Sequence, residues 1–223
     1  MTESIVVKEI VEPKSGRIHR TYTYKRKPCR RVMLESRLCS QLAGYVLIEK
    51  DLRSVLLWLQ EIDRLDERPL AERTRSAKAP NRKTYSVVKG LFVAALTFYG
   101  KCFTRCDERP VKLERAQIEE RFREGHDDCI SYRNNFAAHS GAKKLETVEI
   151  ALVFPLKYKN PIEFQIFKEL DQPDFFRSAP GESSLIELVE HVRSIANSKI
   201  DVLSTKIRDE EVIANAGKYW EAR

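Results

Sequence analysis

The amino-acid sequence predicts a mainly α-helical protein with accessory β-hairpins, and therefore an α+β class overall. Charged residues make up 33% of the 223-residue chain, which suits the solvent-facing sides of helices. The chain has only 8 glycines, which argues against a sandwich or barrel of many short strands. Apolar residues recur at helical spacing over long stretches, and two other regions show strand-like runs. A chain of this length with 42% hydrophobic residues can bury its own core.

The first predicted element is a basic β-hairpin at the N-terminus. The β-rich runs SIVVKEIVEP and RIHRTYTYKRK flank the turn KSG. Cations alternate with tyrosines in the second run, which suits phosphate contacts and base stacking on single-stranded RNA. A strand edge kept in solution by its charge is the alternative interpretation. The predicted RNA-binding residues are Arg20, Tyr22, Tyr24, Arg26 and Lys27.

Two long helices are predicted next. Apolar spacing predicts one helix over residues 34–65, with Gly44 as a point of local weakness, and a central helix over 86–106 that is apolar on most sides. The intervening stretch, DERPLAERTRSAKAPNRKT, carries two prolines and many cations, so it is predicted to be an exposed loop.

The second half of the bundle is predicted to contain two shorter helices. A charged helix over 112–123 is expected to end at Gly125. The next helix is expected to begin after Asp127 and Asp128, which can cap its first turn, and to close at Gly141.

The C-terminal third returns to strands and then to a helix. The runs VEIALVFPLKY and IEFQIFKEL, separated by KNP, predict a second pair of strands, and residues 183–216 have the spacing of a long helix. The predicted organisation is a basic hairpin (1–32), a helical bundle (33–145) and a strand pair with a long helix that packs on the bundle (146–223).

One stretch of the bundle carries a chemically suggestive pattern, Arg-Asn-Asn-Phe-Ala-Ala-His at residues 133–139. An imidazole can accept a proton from a ribose 2′-OH or protonate a leaving oxygen, and a guanidinium can stabilise the charge that builds on a phosphate. On an ideal helix Arg133 and His139 lie about 120° apart, so one copy makes an incomplete pocket. Two copies related by a two-fold axis, packed through Phe136, would bring both residue types into one cleft.

The stretch SYRNNFAAHSG resembles the signature of the HEPN superfamily, in particular its abortive-infection-like branch, in which Arg-Asn/Asp-x-x-x-Ala-His opens a late helix. Arg133, Asn134 and His139 match the motif positions, and Ala138 matches the small residue before the histidine. The resemblance covers about residues 34–144 and implies a bundle of four to five helices.

By the same resemblance, the protein is expected to be a homodimeric endoribonuclease that needs no metal or other cofactor and leaves a cyclic phosphate. The family implies a toxin or phage-defence role, with an antitoxin or other regulatory protein as a further partner. Family toxins that are silenced by nucleotide transfer carry a tyrosine two residues after the histidine. Gly141 stands there in this chain, so that control is not expected.

Two other interpretations remain open at this point. His139 and Arg133 can be an ordinary helix histidine and an ion-pair residue, in a HEPN-like module that is catalytically inactive and binds RNA, nucleotide or a partner protein. The spacing of a cysteine and histidine set allows a tetrahedral zinc site, although small buried cysteines are a common core filler. That set is Cys102, Cys106, His126 and Cys129.

Composition indicates the expected location of the protein and the state of its cysteines. The formal net charge of +7 permits attraction to polyanions. No uncharged apolar run approaches bilayer length and the first residues lack the layout of a secretion signal, so the expected location is the cytoplasm, without membrane contact. Five cysteines, an odd number, are then expected to be mostly reduced thiols.

Overall fold

The protein is mainly helical, with two small antiparallel sheets. The computed structural model describes residues 4–65, 82–107, 109–134, 147–155, 164–171 and 184–220. No helix within these ranges combines the length and apolarity needed to cross a bilayer. The elements in chain order are β1 (Val6–Val11), β2 (Ile18–Tyr24), β3 (Lys27–Pro28), α1 (Arg37–Leu65), α2 (Arg82–Cys102), a 3-10 turn (Arg115–Gln117), α3 (Glu120–Tyr132), β4 (Thr147–Val153), β5 (Gln165–Asp171), α4 (Leu185–Lys206), a π-helical segment (Ile207–Ile213) and α5 (Ala216–Trp220).

The chain divides into two compact units. The first contains the described residues of Met1–Cys39 and Lys206–Arg223, and the second contains those of Ser40–Thr205. The three-part organisation expected from the sequence stays a prediction, and its boundary at 145/146 lies outside the described residues.

The hydrophobic core lies in the second unit and is built by α1, α2, α3 and α4. Each helix contributes side chains three or four residues apart, because that spacing places them on one face of a helix. The buried apolar residues that form this core are Ile48, Leu52, Val55, Leu56, Leu59 and Ile62 from α1, Val88, Ala95, Leu96, Tyr99 and Cys102 from α2, Phe122 and Cys129 from α3, Leu188, Val189, Val192 and Ala196 from α4, and Leu113 and Ile118 from the segment before α3.

The N-terminal sheet confirms the predicted hairpin and adds a short third strand. β1 and β2 are antiparallel, with Glu9 opposite Arg20. β2 and β3 are joined by a two-residue turn in which Lys25 (φ 49°) and Arg26 (φ 65°) both adopt left-handed backbone conformations. Such turns usually contain Asn or Gly, and this one contains neither, which is why the sequence did not predict it.

The helix α1 confirms the first long helix and runs unbroken through Gly44. A Cβ atom at Gly44 would lie 2.5 Å from Val111 Cγ2 and 3.3 Å from Arg109 Cγ. The helix is not interrupted at Gly44, and the expected local weakness stays a prediction. The glycine allows the segment that follows α2 to pack directly on α1.

The central helix α2 starts and ends about four residues earlier than predicted. Its C-terminal carbonyl groups are already satisfied by other parts of the chain: the Leu113 amide donates to the Cys102 oxygen at 2.9 Å, and the Arg109 guanidinium donates to the Lys101 oxygen. Because these acceptors are occupied, the helix ends there without a glycine cap.

The helix α3 corrects the prediction of two short helices separated near Gly125. One helix spans Glu120–Tyr132, with Gly125, Asp127 and Asp128 in its interior. A glycine inside a helix costs only about 1 kcal/mol, less than the gain from burying the face that α3 presents to the core. Asp127 therefore does not cap a helix, and its carboxylate instead accepts two hydrogen bonds from the Arg115 guanidinium.

The C-terminal region confirms a second strand pair and a long helix. β4 and β5 are antiparallel, with Ile150 opposite Lys168 and Glu149 opposite Glu169. Ser184 caps α4 by a reciprocal pair of hydrogen bonds with Glu187, as in a capping box. The predicted single helix over 183–216 is corrected, since regular α-helix ends at Lys206 and a π-helical segment follows.

Candidate functional site

Three consecutive residues in the last turn of α2 each contact a different polar residue of the second unit. Tyr99 contacts His126, Gly100 contacts Arg133, and the Lys101 carbonyl oxygen accepts a hydrogen bond from Arg109. These contacts bring α3 and the segment after α2 onto the same helical turn. Arg133, the first residue of the predicted catalytic motif, lies at this place.

Arg133 continues the buried face of α3. Phe122, His126 and Cys129 are buried at successive steps of four and three residues, and Arg133 follows after four more. Its backbone keeps helical dihedral angles (φ −54°, ψ −47°), and its amide donates to the carbonyl oxygens of Cys129 and Ile130. The helical path therefore places the Arg133 side chain against α2.

The Arg133 side chain lies directly against the backbone of Gly100. An ideal Cβ atom at Gly100 would be 2.5 Å from Arg133 Cδ and 3.0 Å from Nε. The side chain is partly buried. Within the described part of the chain, its guanidinium has no hydrogen bond and no ion pair. A partly buried cation without a carboxylate partner is suited to bind an anion such as a phosphate.

Of the other two predicted catalytic residues, the structure describes Asn134 but not His139. Asn134 is exposed and lies one helical step of about 100° beyond Arg133, beside the face that packs on α2. His139 and Phe136 lie outside the described residues, as does most of the predicted loop between α1 and α2. The angle between Arg133 and His139 stays a prediction.

His126 is a buried histidine that joins α3 to α2. Its Nδ1 atom lies 2.9 Å from the Tyr99 hydroxyl oxygen, and its ring packs against Phe103 with the centroids 4.4 Å apart. Burial lowers the pKa of His126 below its usual value of 6.5, so the imidazole is held neutral near pH 7. Burial also raises the pKa of Tyr99, which keeps the phenol protonated and able to donate.

A buried ionic cluster lies on the other side of the same turn. The Asp51 carboxylate of α1 is 1% exposed and lies 3.2 Å from Lys101 Nζ, 2.8 Å from Lys50 Nζ and 3.9 Å from Arg109 Nη1. Arg109 is itself buried and also donates to the Thr104 oxygen at 3.3 Å. This cluster links α1, α2 and the segment after α2, and its one carboxylate lies between three cations.

The structure does not bring the candidate zinc ligands together. No group of three or more metal-ligating side chains forms among the described residues, which include all four candidates. The Cys102 thiol donates to the Phe98 oxygen at 3.2 Å, and His126 is engaged by Tyr99. Burial raises the pKa values of Cys102 and Cys129 to about 12, which disfavours the thiolate form that binds zinc.

The predicted RNA-binding residues lie in the first unit, and four of the five share a face of the N-terminal sheet. Arg20, Tyr22 and Tyr24 alternate along β2, and Lys27 of β3 is opposite Tyr24. The fifth, Arg26, is in the turn. Arg20 Nε forms an ion pair with Glu9 at 2.7 Å.

Comparisons with known proteins return no match for this chain among protein-family models, curated proteins or solved structures. Its site is therefore interpreted from its own residues. Sequence reasoning missed the contact between Gly100 and Arg133, for which the sequence carries no signal. It also missed the burial of His126, although the spacing of Phe122, His126, Cys129 and Arg133 would have indicated it.

Proposed function

We propose that this protein is a metal-independent endoribonuclease of the HEPN type, in which Arg133 stabilises the charge on the scissile phosphate. The single observation that supports this proposal is the state of Arg133. Its side chain is held against α2, and no described acidic residue neutralises it. Holding a cation in place without neutralising it is what stabilisation of a phosphoryl transition state requires.

The proposed reaction is an internal transfer at phosphorus. The ribose 2′-oxygen attacks the adjacent phosphorus as His139 accepts its proton, a new O–P bond forms, and the bond to the 5′-oxygen breaks. That oxygen takes its proton from solvent water, to which the His139 imidazolium returns the proton it accepted. The products are a 2′,3′-cyclic phosphate and a 5′-hydroxyl, and no oxidant, reductant or metal enters the balance. Asn134, which is exposed, assists by hydrogen bonding to the RNA.

An RNA cleavage assay in EDTA tests the proposal. Wild-type protein is expected to release products with cyclic phosphate ends, and Arg133→Ala and His139→Ala are each expected to reduce the rate by a factor on the order of 10² to 10³. Arg121→Ala is the matched control, because Arg121 is an exposed arginine of α3 that pairs with Glu119. Equal rates for all four proteins, or cleavage that stops in EDTA, would remove the proposal.

Assembly from two copies is part of the proposal, as is a cytoplasmic toxin or phage-defence role with a regulatory partner. Co-expression of Arg133→Ala and His139→Ala chains carrying different tags produces mixed dimers with one intact arginine and one intact histidine. These dimers are expected to regain a measurable part of the wild-type rate. Mixed dimers as inactive as the single variants would show that the two residues do not act across chains.

A second candidate function is an RNA-binding module without catalysis. The observation that favours it is the shared face of Arg20, Tyr22, Tyr24 and Lys27, which combines stacking surfaces with cations. Tyr24→Ala is then expected to weaken binding of single-stranded RNA about tenfold, in a protein that leaves the RNA intact. Cleavage by the wild type that depends on Arg133 would decide against this candidate.

A further inference from the structure

The helix α2 contains two glycines whose surroundings differ. Neither Gly90 nor Gly100 has a positive φ angle, so the backbone at these positions does not require glycine. Glycine destabilises a helix interior relative to alanine, because it loses more conformational freedom on folding. A Cβ atom at Gly90 would have no described atom within 4 Å, whereas a Cβ atom at Gly100 would overlap Arg133. Only Gly100 therefore has a packing reason to be glycine.

We propose that Gly100 is a positioning residue for Arg133. The missing side chain leaves a space on α2 that the Arg133 side chain occupies from Cγ to Nε, at 3.4, 2.5 and 3.0 Å from an ideal Cβ atom. That space restricts the rotamers of a long side chain and so sets the direction of its guanidinium. This inference rests on the proposed function, because it concerns the arginine assigned there to the scissile phosphate.

The contact between Tyr99 and His126 explains why a change at Gly100 would act on the Arg133 side chain. His126 is two helical turns before Arg133 on the same face of α3, and its 2.9 Å contact with Tyr99 holds α3 against α2 next to Gly100. A methyl group at position 100 therefore meets Arg133 on a helix that is already anchored. The flexible side chain moves more easily than the packed backbone, so the guanidinium is displaced.

Kinetic measurements on two alanine variants test the positioning role. Gly100→Ala is expected to lower kcat for RNA cleavage by on the order of 10-fold to 100-fold with little change in KM, because a displacement of about 1 Å of a catalytic group has effects of this size. Gly90→Ala is the matched control, since it makes the same substitution in the same helix with free space around it, and it is expected to keep the wild-type kcat.

Thermal unfolding tests the contact without reference to activity. Gly90→Ala is expected to raise the midpoint by roughly 2 °C. Gly100→Ala is expected to raise the midpoint less than Gly90→Ala does in the wild-type background, but by a similar roughly 2 °C when Arg133→Ala removes the side chain that the methyl group would meet. If Gly100→Ala alone does not fold and the double variant does, the contact is equally supported.

The two measurements separate this inference from the proposed function. If the wild type does not cleave RNA, the proposed function fails and the positioning role fails with it. Thermal unfolding of the single and double variants then still decides whether Arg133 occupies the space at Gly100. If cleavage depends on Arg133 but Gly100→Ala keeps the wild-type kcat, the positioning role alone is overturned. A Gly100→Ala effect on the midpoint that is the same with and without Arg133 would overturn the contact.

Discussion

Two arginines from different parts of the chain contact consecutive residues in the last turn of α2, and their surroundings differ. Arg109 is buried, donates to two backbone oxygens and lies near the buried carboxylate of Asp51. Arg133 is partly buried, lies against Gly100 and has no polar partner among the described residues. A buried cation next to a buried carboxylate acts in structure, whereas a positioned cation without a carboxylate is available to a ligand.

The largest expected effect on stability comes from removing the carboxylate next to Arg109. Asp51→Ala leaves Arg109 buried without a carboxylate, and the free energy of unfolding is expected to fall by about 3 kcal/mol. Urea unfolding measures this change, with the exposed Asp128 replaced by alanine as a control that is expected to stay within about 0.5 kcal/mol. Equal effects of the two variants would show that the cluster contributes no more than a surface carboxylate.

A smaller effect is expected from the contact that anchors α3. Tyr99→Phe removes the hydroxyl group that faces His126 and leaves a buried imidazole nitrogen without its partner, at an expected cost of about 2 kcal/mol. The ring and its packing are retained, so urea unfolding reports the hydrogen bond. In the double variant with His126→Phe the hydroxyl and its partner are both absent, and adding Tyr99→Phe there is expected to cost less. An unchanged cost would contradict a specific Tyr99–His126 interaction.

The same pair predicts a pH dependence of stability. Because burial lowers the pKa of His126, the unfolded chain takes up its proton at a higher pH than the folded one. The stabilisation from the neutral imidazole is fully present above pH 6.5 and is lost as the pH falls through the lowered pKa.

Urea unfolding at roughly pH 7.5 and roughly pH 5.5 measures this loss. His126→Gln is expected to lose less stability than the wild type over that interval, because the other titrating groups are common to both proteins. An identical loss in the two proteins would show that His126 titrates in the folded protein as it does in the unfolded chain.

The smallest expected effect on stability comes from replacing Arg133, the arginine without a carboxylate next to it. Arg133→Ala is expected to change the free energy of unfolding by no more than about 0.5 kcal/mol, because no hydrogen bond or ion pair to a described residue is lost. Cleavage by the same variant is expected to fall far more than stability. A loss of stability as large as that of Tyr99→Phe would place Arg133 with Arg109, as a residue that maintains the fold.

Much of the fold could be predicted from local patterns. The N-terminal hairpin, the second strand pair and the long helices follow from the alternation or the three-to-four spacing of apolar residues. The predicted helix boundaries were wrong where a local sequence signal conflicted with packing in the core. Gly125 and Asp127 predicted a helix boundary, but burial of one continuous face carries α3 through both. The turn at Lys25 and Arg26 was missed because its residues are unusual for that backbone conformation.

The sequence predicted which residue types form the candidate site, but not their surroundings. Arg133, Asn134 and His139 match positions of the HEPN motif, and guanidinium and imidazole groups suit phosphate chemistry. The sequence also offered many other cations, and nothing local separates Arg133 from Arg20, which the structure pairs with Glu9. Whether a charge is neutralised depends on residues that are distant in the chain.

By itself, the sequence determined the helical class of this protein, the two strand pairs and the amphipathic faces that build its core, because these depend on the order of apolar and polar residues along the chain. Only the tertiary structure decided that Arg133 lies on Gly100 with no charged partner among the described residues, while Arg109 is enclosed with Asp51. The physical reason is that compensation of charge and close packing are properties of contacts between distant segments, and local sequence does not specify them.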